Sequence, residues 1–354
     1  MSSLMVALGS LGGIVLAGVV AHGAWQARKA GPKRAAEPAE RTEPREPVFG
    51  EPVLPDGSRA DGQADDGPML APRERRIGKR VTQRLDALID SIAPLTVEAP
   101  LSGELVIAHL PATRRAGGKP FLIEGLNTET GDWEAPAPGQ RYGDFQAGVQ
   151  LANRTGAMNE IEYSEFVQKV QAFADGIGAM ADFPDMLEAV AGARELDNFA
   201  SQHDAQLAVH LRSRGAAWSV GYIHQNGARH GFVAGVVPGR LVLPSDEEGA
   251  PPVLTLTFDS QAALADDPNI AAVRDVTLSF DVPQTDPAGE PFVAWQKSAH
   301  GLAADMDAAL VDDNGQPLGD ASFAAIGREL ARLYEQLGAR DLPAGSPAAR
   351  RLFS

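Results

Sequence analysis

Cysteine is absent from this chain of 354 residues. Its absence excludes a disulfide scaffold, a cysteine-ligated zinc or iron–sulfur site, and a thiol nucleophile. Familiar catalytic signatures are missing too. There is no Gly-x-Ser-x-Gly elbow, no Gly-x-x-x-x-Gly-Lys-Ser/Thr phosphate loop and no His-Glu-x-x-His zinc helix. Basic charge is scarce: 31 Lys+Arg face 47 Asp+Glu, for a formal charge of −16. Such a surface repels phosphate, so no nucleic-acid partner is expected. The histidines are scattered. His203/His210 and His224/His230 lack the i,i+3 or i,i+4 spacing that sets two ligands on one helix face, and neither a metal nor another cofactor is expected.

What is present divides unevenly along the chain. Hydrophobic residues make up 44%, enough to build a core. Residues 1–80 carry 12 basic and 10 acidic side chains, leaving 19 basic and 37 acidic ones for 81–354. No charge occurs from Met1 to Ala27, and Leu4–Ala21 is an apolar run. At about 1.5 Å per residue it is about 27 Å long, close to the hydrocarbon thickness of a bilayer. Arg28, Lys29, Lys33 and Arg34 follow at once, and no basic residue precedes the run. A cleaved signal peptide has its basic residues before the apolar run, so residues 1–27 read as a single transmembrane anchor. The positive-inside rule puts its N-terminus outside and the rest of the chain in the cytoplasm. Gly9 and Gly13 form one GxxxG, read as ordinary glycine tolerance in a membrane helix ahead of a dimer seam.

Residues 28–79 read as a disordered linker, with prolines at 32, 38, 44, 47, 52, 55, 68 and 72 and almost no aliphatic periodicity. Chain of this kind cannot bury enough apolar surface to offset its entropy. It is a tether, and the PxxP at Pro44 and Pro47 carries little weight in it. Folded signals begin near Arg80, where Val81–Ile92 has helical or helix-to-strand spacing. Helices are expected at Glu162–Gly176, Phe183–Ala200, Trp218–Gly231, Pro291–Leu310 and Ser322–Gly338. In the last, Phe323, Ile326, Leu330, Leu333 and Leu337 share one face, Asp320 caps the start and Gly338 the end. Strands are expected at Gln206–Leu211, Gly231–Val237, Arg240–Pro244, Val253–Asp259 and Thr277–Val282. Leu254, Leu256 and Phe258 alternate with Thr255 and Thr257, and Leu278, Phe280 and Val282 alternate with Thr277, Ser279 and Asp281. A strict period of two gives one apolar and one polar face. The expected class is α+β, an antiparallel sheet with helices packed on one face.

An internal echo runs through the folded part. Gly-Gly-Lys-Pro-Phe121 resembles the stretch before Phe232, Val149-Gln-Leu151 resembles Val276-Thr-Leu278, and Phe166 corresponds to Phe292. A hairpin near Pro244–Asp259 would absorb the difference in length. Two tandem copies of one unit and coincidence in an alanine-rich chain both stay open. Asp312-Asp313-Asn314-Gly315 has the wrong spacing for a calcium loop and reads as a tight turn. Trp218 and Tyr222 read as a helix face packed on the sheet, Glu247-Glu248 as a solvated loop, and Arg350–Ser354 as a frayed tail. An anchor, a tether and a head without catalytic motifs describe an adaptor, not an enzyme. Confinement to a membrane raises its effective concentration for a nearby partner.

These features resemble the cell-division protein ZipA family. The anchor ends in His22-Gly-Ala-Trp25-Gln-Ala-Arg28-Lys29, similar to that family's membrane junction. A first strand Gln206–Leu211, a helix Trp218–Gly231, Phe232-Val-Ala-Gly235, a strand ending Val282-Pro283 before a long helix, and Ala309-Leu-Val-Asp312-Asp313 before a final helix follow the order of its C-terminal domain. The resemblance covers residues 4–34 and 204–338. It implies a ZipA-like domain at 204–342 followed by a tail at 343–354; the α+β segment at 80–203 departs from the family, as does the short linker without Gln-rich runs, and a degenerate repeat of the same domain is one reading of it. It also implies an FtsZ-binding adaptor that tethers FtsZ polymers to the inner membrane at the division site by holding the FtsZ C-terminal peptide. Carried over by strand, the groove positions are Gln206, Ala208, His210, Val237, Thr255, Thr257, Thr277 and Ser279. Most are polar, so either the register is off by one and the faces are swapped, or this chain binds differently. The same fold could also serve a different division or envelope partner. In the first segment, Phe145–Leu151 sets Gln146, Gly148 and Gln150 on one face and offers no apolar alternative.

Overall fold

A computed structural model describes residues 83–265, 267 and 272–354. The expected anchor and the whole of the expected linker lie outside these residues. Among the described residues no helix is long and apolar enough to cross a membrane. The fold is α+β with antiparallel sheets. The first sheet is built from β1 (Asp90–Ser102), α1 (Gly103–His109), β2 (Arg115–Ala116), β3 (Lys119–Asn127), β4 (Trp133–Glu134) and β5 (Arg141–Gln150). The hairpin β6 (Ala152–Asn153) and β7 (Gly156–Ala157) follows, then α2 (Glu160–Ile177), β8 (Met180–Ala181) and α3 (Met186–His203). The strand order is β2-β3-β5-β1-β8, with β4 on the edge of β3.

The local reasons are legible in the residues. Asn159 and Glu162 form a reciprocal capping box that starts α2. Gly178, at φ 71°, ends it in the left-handed conformation that favours glycine. Along β1, β3 and β5 every second residue points inward: Leu95, Phe121, Ile123, Phe145, Ala147 and Val149 are buried against Tyr163, Phe166, Val170 and Phe173 of α2. The β1–β5 register slips between Thr96 and Leu101. Pro100, which has no N–H to give to a ladder, lies within that irregularity. Lys119 is 1% exposed. Its ammonium is held by Asn153 Oδ1 at 2.6 Å, by Thr155 Oγ1 and by the Gly156 carbonyl, which fixes the β6–β7 hairpin to β3.

The second sheet comes from β9 (Gln206–Ser213), α4 (Val220–Arg229), β10 (Val233–Ala234), β11 (Arg240–Leu243), β12 (Leu254–Thr257), α5 (Ser260–Ala263) and β13 (Asp275–Asp281). It continues with α6 (Pro291–Asp305), β14 (Ala308–Val311) and α7 (Asp320–Ala339), and the chain closes with α8 (Pro347–Leu352). The order is β10-β11-β12-β13-β9-β14. Four strands of each sheet therefore follow one path, β3-β5-β1-β8 and β12-β13-β9-β14. Inward residues Val209, Leu211, Leu256, Val276, Leu278 and Phe280 pack with Trp295, Ala299 and Leu302 of α6 and Phe323 and Leu330 of α7. The buried Trp295 indole N–H donates to the Leu278 carbonyl at 3.0 Å.

Several expected elements have different limits. The helix expected over Pro291–Leu310 ends at Asp305, and its last residues form β14, because Asp307 turns the chain at φ 48°. The strand expected over Gly231–Val237 is two residues long. Val237–Arg240 is instead a turn, with the Arg240 N–H on the Val237 carbonyl at 3.2 Å and Gly239 at φ 76° after Pro238. Over Val81–Ile92, the described part is a turn at Asp86–Asp90 leading directly into β1.

The largest correction concerns the C-terminus. Residues 343–354 are not a frayed tail. Leu352 and Phe353 are 0% and 1% exposed. Together with Leu342, Ala344, Ala348 and Ala349 they complete a third core with Ile89, Ala152, Leu196 and Ala200 of the first half. Arg351 forks onto Asp90 at 2.6 and 2.7 Å with both side chains out of water. It also donates to the Arg84 carbonyl at 2.8 Å, and Gln150 donates to its own carbonyl at 2.8 Å. A second guanidinium, Arg154, bridges Asp204 and Asp281, each at 2.6 Å.

Arg351→Ala strands a buried carboxylate and is expected to cost about 3–5 kcal/mol in urea unfolding. The paired change Asp90→Leu with Arg351→Leu is expected to recover most of that loss, because it removes both charges. The Tyr334 hydroxyl is buried with no partner among the described residues, and burial pushes its pKa up to about 12. Tyr334→Phe is expected to leave stability unchanged or raise it by about 1 kcal/mol in the same assay.

Candidate functional site

The residues expected to line a groove come together on the outer face of the second sheet, away from α6. The ladder sets them in two rows. One runs Val242–Thr255–Ser279–Ala208, the other Arg240–Thr257–Thr277–His210. The inward neighbours Val209, Leu211, Leu254, Leu256, Val276, Leu278 and Phe280 are all buried. The alternation read from the sequence is therefore the one adopted, and the two faces are not swapped. Ala208, His210, Thr255, Thr257 and Thr277 are half-buried, and Ser279 is crowded to 6% exposure in mid-sheet. Gln206 is exposed at the strand end, opposite Asp281.

Val237 does not join these rows. It lies in the β10–β11 turn at 55% exposure, beside Val236, which is fully exposed. Both line a groove of about 500 Å³ at the sheet edge, together with Val242, Pro244 and Pro252. Val242 and Arg240, not singled out before, take the end positions of the two rows. The alternation Arg240-Leu-Val-Leu243, with Leu241 buried at 2%, is the signal that could have found them. Arg240 also donates to Thr255 Oγ1 at 3.3 Å.

At the other end of the face His210 sits between two carboxylates. Its Nδ1 is 3.1 Å from Asp275 Oδ1 and 3.1 Å from Thr277 Oγ1, and its Nε2 is 2.9 Å from Asp313 Oδ1. Asp313 is placed there by a tight turn, as its sequence suggests: the Gly315 N–H reaches the Asp312 carbonyl and Gly315 sits at φ 76°. Thr277, His210 and Asp313 stand in the order of a nucleophile, a base and an orienting acid. Both ring nitrogens also face carboxylates, Nδ1 that of Asp275 and Nε2 that of Asp313. Burial lowers the His210 pKa, but the hydrogen bonds and charges of Asp313 and Asp275 outweigh it, and the net direction is upward.

Trp218 and Tyr222 both border a hollow of about 480 Å³ with Ser213, Gly215 and Asp307. Trp218 precedes α4, since Ser219 is the cap, and lies in the core with its indole N–H on the Met306 carbonyl at 2.9 Å. Tyr222 bonds the Asp305 carbonyl at 2.9 Å. Glu247 pairs with Arg350 at 2.8 Å. Among the described residues no group of three or more His, Asp and Glu side chains could hold a metal ion. Set against known proteins, the sequence matches no family model and no curated protein.

A raised imidazole pKa stabilises the fold below the ordinary histidine range, and that contribution is lost as pH rises through the folded value. Unfolding free energy is expected to fall between about pH 6 and about pH 8 by more in the wild type than in His210→Gln. Urea titrations of both proteins at the two pH values measure the difference.

Proposed function

We propose that the chain is a membrane-anchored adaptor of the bacterial division ring, with two ZipA-like α+β units behind an N-terminal transmembrane helix and a proline-rich tether. The FtsZ C-terminal tail lies along the outer face of the second sheet, over Ala208, His210, Thr255, Thr257, Thr277 and Ser279, with Val237 at the rim. The anchor sits in the inner membrane, the head is cytoplasmic, and the protein acts by binding and not by catalysis. The observation that carries this reading is the gathering of those strand positions into two adjacent rows on a face turned away from the helices. The shared strand path of the two sheets supports the reading of tandem units.

One observation favours a second reading, a scaffold of the same fold with another division or envelope partner. Peptide affinity comes from a few buried apolar anchors. Here the middle of the rows offers hydroxyls and an imidazole, and the large apolar side chains stand at one edge, at Val236, Val237 and Val242. A peptide crossing this face places its apolar residues on the valine edge and its polar backbone over the hydroxyls.

The test uses the full chain in phospholipid nanodiscs and a labelled synthetic peptide of the FtsZ C-terminal tail. Binding is expected, and Thr277→Arg, which sets a long cation between Thr257 and His210, is expected to weaken it about tenfold, or about 1.4 kcal/mol. No retention of the peptide at about 100 μM, a concentration that detects even weak complexes, overturns the FtsZ reading and leaves the scaffold reading standing.

A further inference from the structure

Four strands of the first sheet follow the same path as four of the second, but its outer face is closed. The ladder places Leu122–Gly148–Ile92 in one row and Glu124–Gln146–Pro94 in the next. Across these rows runs the chain's own segment Arg84–Leu88. Leu85 sits over Gly148, and a Cβ at Gly148 would run into its Cδ2 atom. The glycine is therefore the floor of a seat for a leucine-sized side chain, walled by Ile92 and Leu122. The Leu85 N–H donates to Glu124 Oε1 at 3.0 Å, and Gln146 holds the other oxygen of that carboxylate at 2.8 Å. Glu124 is only 3% exposed, so a buried acceptor is aimed at the backbone of whatever lies in the seat.

The segment is held by polar contacts and one seated side chain, not by a core. Gln83, Arg84, Ala87 and Leu88 are exposed and Leu85 is half-buried. None of them belongs to the three apolar cores. Besides the Leu85 contacts, the Arg84 guanidinium bonds the Trp133 carbonyl, the Arg84 carbonyl receives the Arg351 guanidinium at 2.8 Å, and the Asp86 N–H donates to Asp90 Oδ2 at 2.9 Å while the Asp86 carbonyl accepts the Ile89 and Asp90 N–H groups. The C-terminal helix α8 is thus a latch on this strap.

We propose that the outer face of the first sheet is a second peptide-docking surface, closed in cis by Arg84–Leu88 and latched by Arg351. The partner it fits is an extended peptide that puts a leucine-class side chain on Gly148 and a backbone N–H on Glu124. The strap occupies the face as a self-ligand, so a partner gains access only when the strap leaves. This goes beyond the reading of the second sheet and does not depend on what that sheet binds.

The test uses the full chain in nanodiscs and, as probe, a fluorescein-labelled peptide of the chain's own residues 80–89. Leu85→Asp sets a carboxylate against Glu124 and expels the strap while sparing every core residue. It is expected to bind the peptide at least tenfold more tightly than the wild type. Adding Gly148→Ala fills the floor of the seat and is expected to remove that gain. Two results overturn the proposal: a cooperatively folded Leu85→Asp protein that binds no better than the wild type, or binding that Gly148→Ala does not affect. If Leu85→Asp does not melt cooperatively, Leu85→Ala, which adds no charge, is read instead. A gain of at least threefold over the wild type is then expected, and no gain overturns the proposal. The probe is not the FtsZ tail and Thr277→Arg is not involved, so this result and the FtsZ result can fail separately.

Discussion

The described fold is closed by one buried ion pair. Asp90 opens β1, which lies between β5 and β8 in the first sheet, and Arg351 belongs to the last helix of the chain. Their fork brings together segments more than 250 positions apart, with Asp90 fully out of water. Burying two charges costs several kcal/mol per ion, and the mutual attraction returns that only when the geometry is good and the remaining polar atoms are matched. Here they are matched: Asp90 also accepts the Asp86 N–H at 2.9 Å, and Gln150 caps the Arg351 carbonyl. Burial still pushes the Asp90 pKa upward, with the guanidinium only partly offsetting it. The pair is therefore better understood as fixing where α8 docks than as a large source of stability. That docking is what lets Leu352 and Phe353 complete the third core.

Two sheets with one strand path present opposite outer faces, and the difference comes from single positions. In the first sheet, Gly148 lies between Leu122 and Ile92, which gives a hollow with apolar walls. In the second, Ser279 lies between Thr255 and Ala208, and Thr277 between Thr257 and His210. Those side chains fill the space with hydroxyls and an imidazole held by Asp275 and Asp313. An apolar hollow left open to water is unfavourable, and the first sheet covers its own with Leu85. A polar face is already solvated, so no cover is required. The closed and open states of the two faces thus follow from their composition.

The periodic parts of this fold were legible in the sequence. The stripe from Phe323 to Leu337 gave α7 to within two residues at its start and one at its end, and the alternation through Leu254–Thr257 and Thr277–Asp281 gave the correct face of the second sheet. Those signals are local, and burial of one face is what enforces them. The short strands β2, β4 and β8 were not legible, because two residues become a strand only through a partner supplied by the fold, and β10 was expected at more than its two residues. The C-terminal reading failed for the same reason. Arg350-Arg351-Leu-Phe-Ser has the composition of a solvated end, and only Asp90, remote in sequence, makes Arg351 an interior residue. Val237 was drawn into the candidate face by extending a strand that Pro238 and Gly239 turn aside.

The polar accounting around the strap bears on whether it can leave. Arg351 shares its guanidinium between Asp90 and the Arg84 carbonyl, so departure of the strap removes that bond to a neutral oxygen and the Asp86 N–H bond to Asp90, and leaves the Arg351–Asp90 fork intact. Glu124 loses the Leu85 N–H but keeps Gln146, and it becomes exposed to water in the same step. No buried charge is left without a partner by the opening, and uncompensated burial is what makes most local unfolding costly. The cost lies in the hollow over Gly148, where water must replace one leucine side chain, and in the Asp86 N–H bond that Asp90 gives up. A competing peptide with a leucine-class residue removes that cost as it binds. The arrangement therefore has the energetics of an exchangeable ligand, in contrast to α8, whose removal exposes Leu352 and Phe353 and leaves Asp90 unpaired.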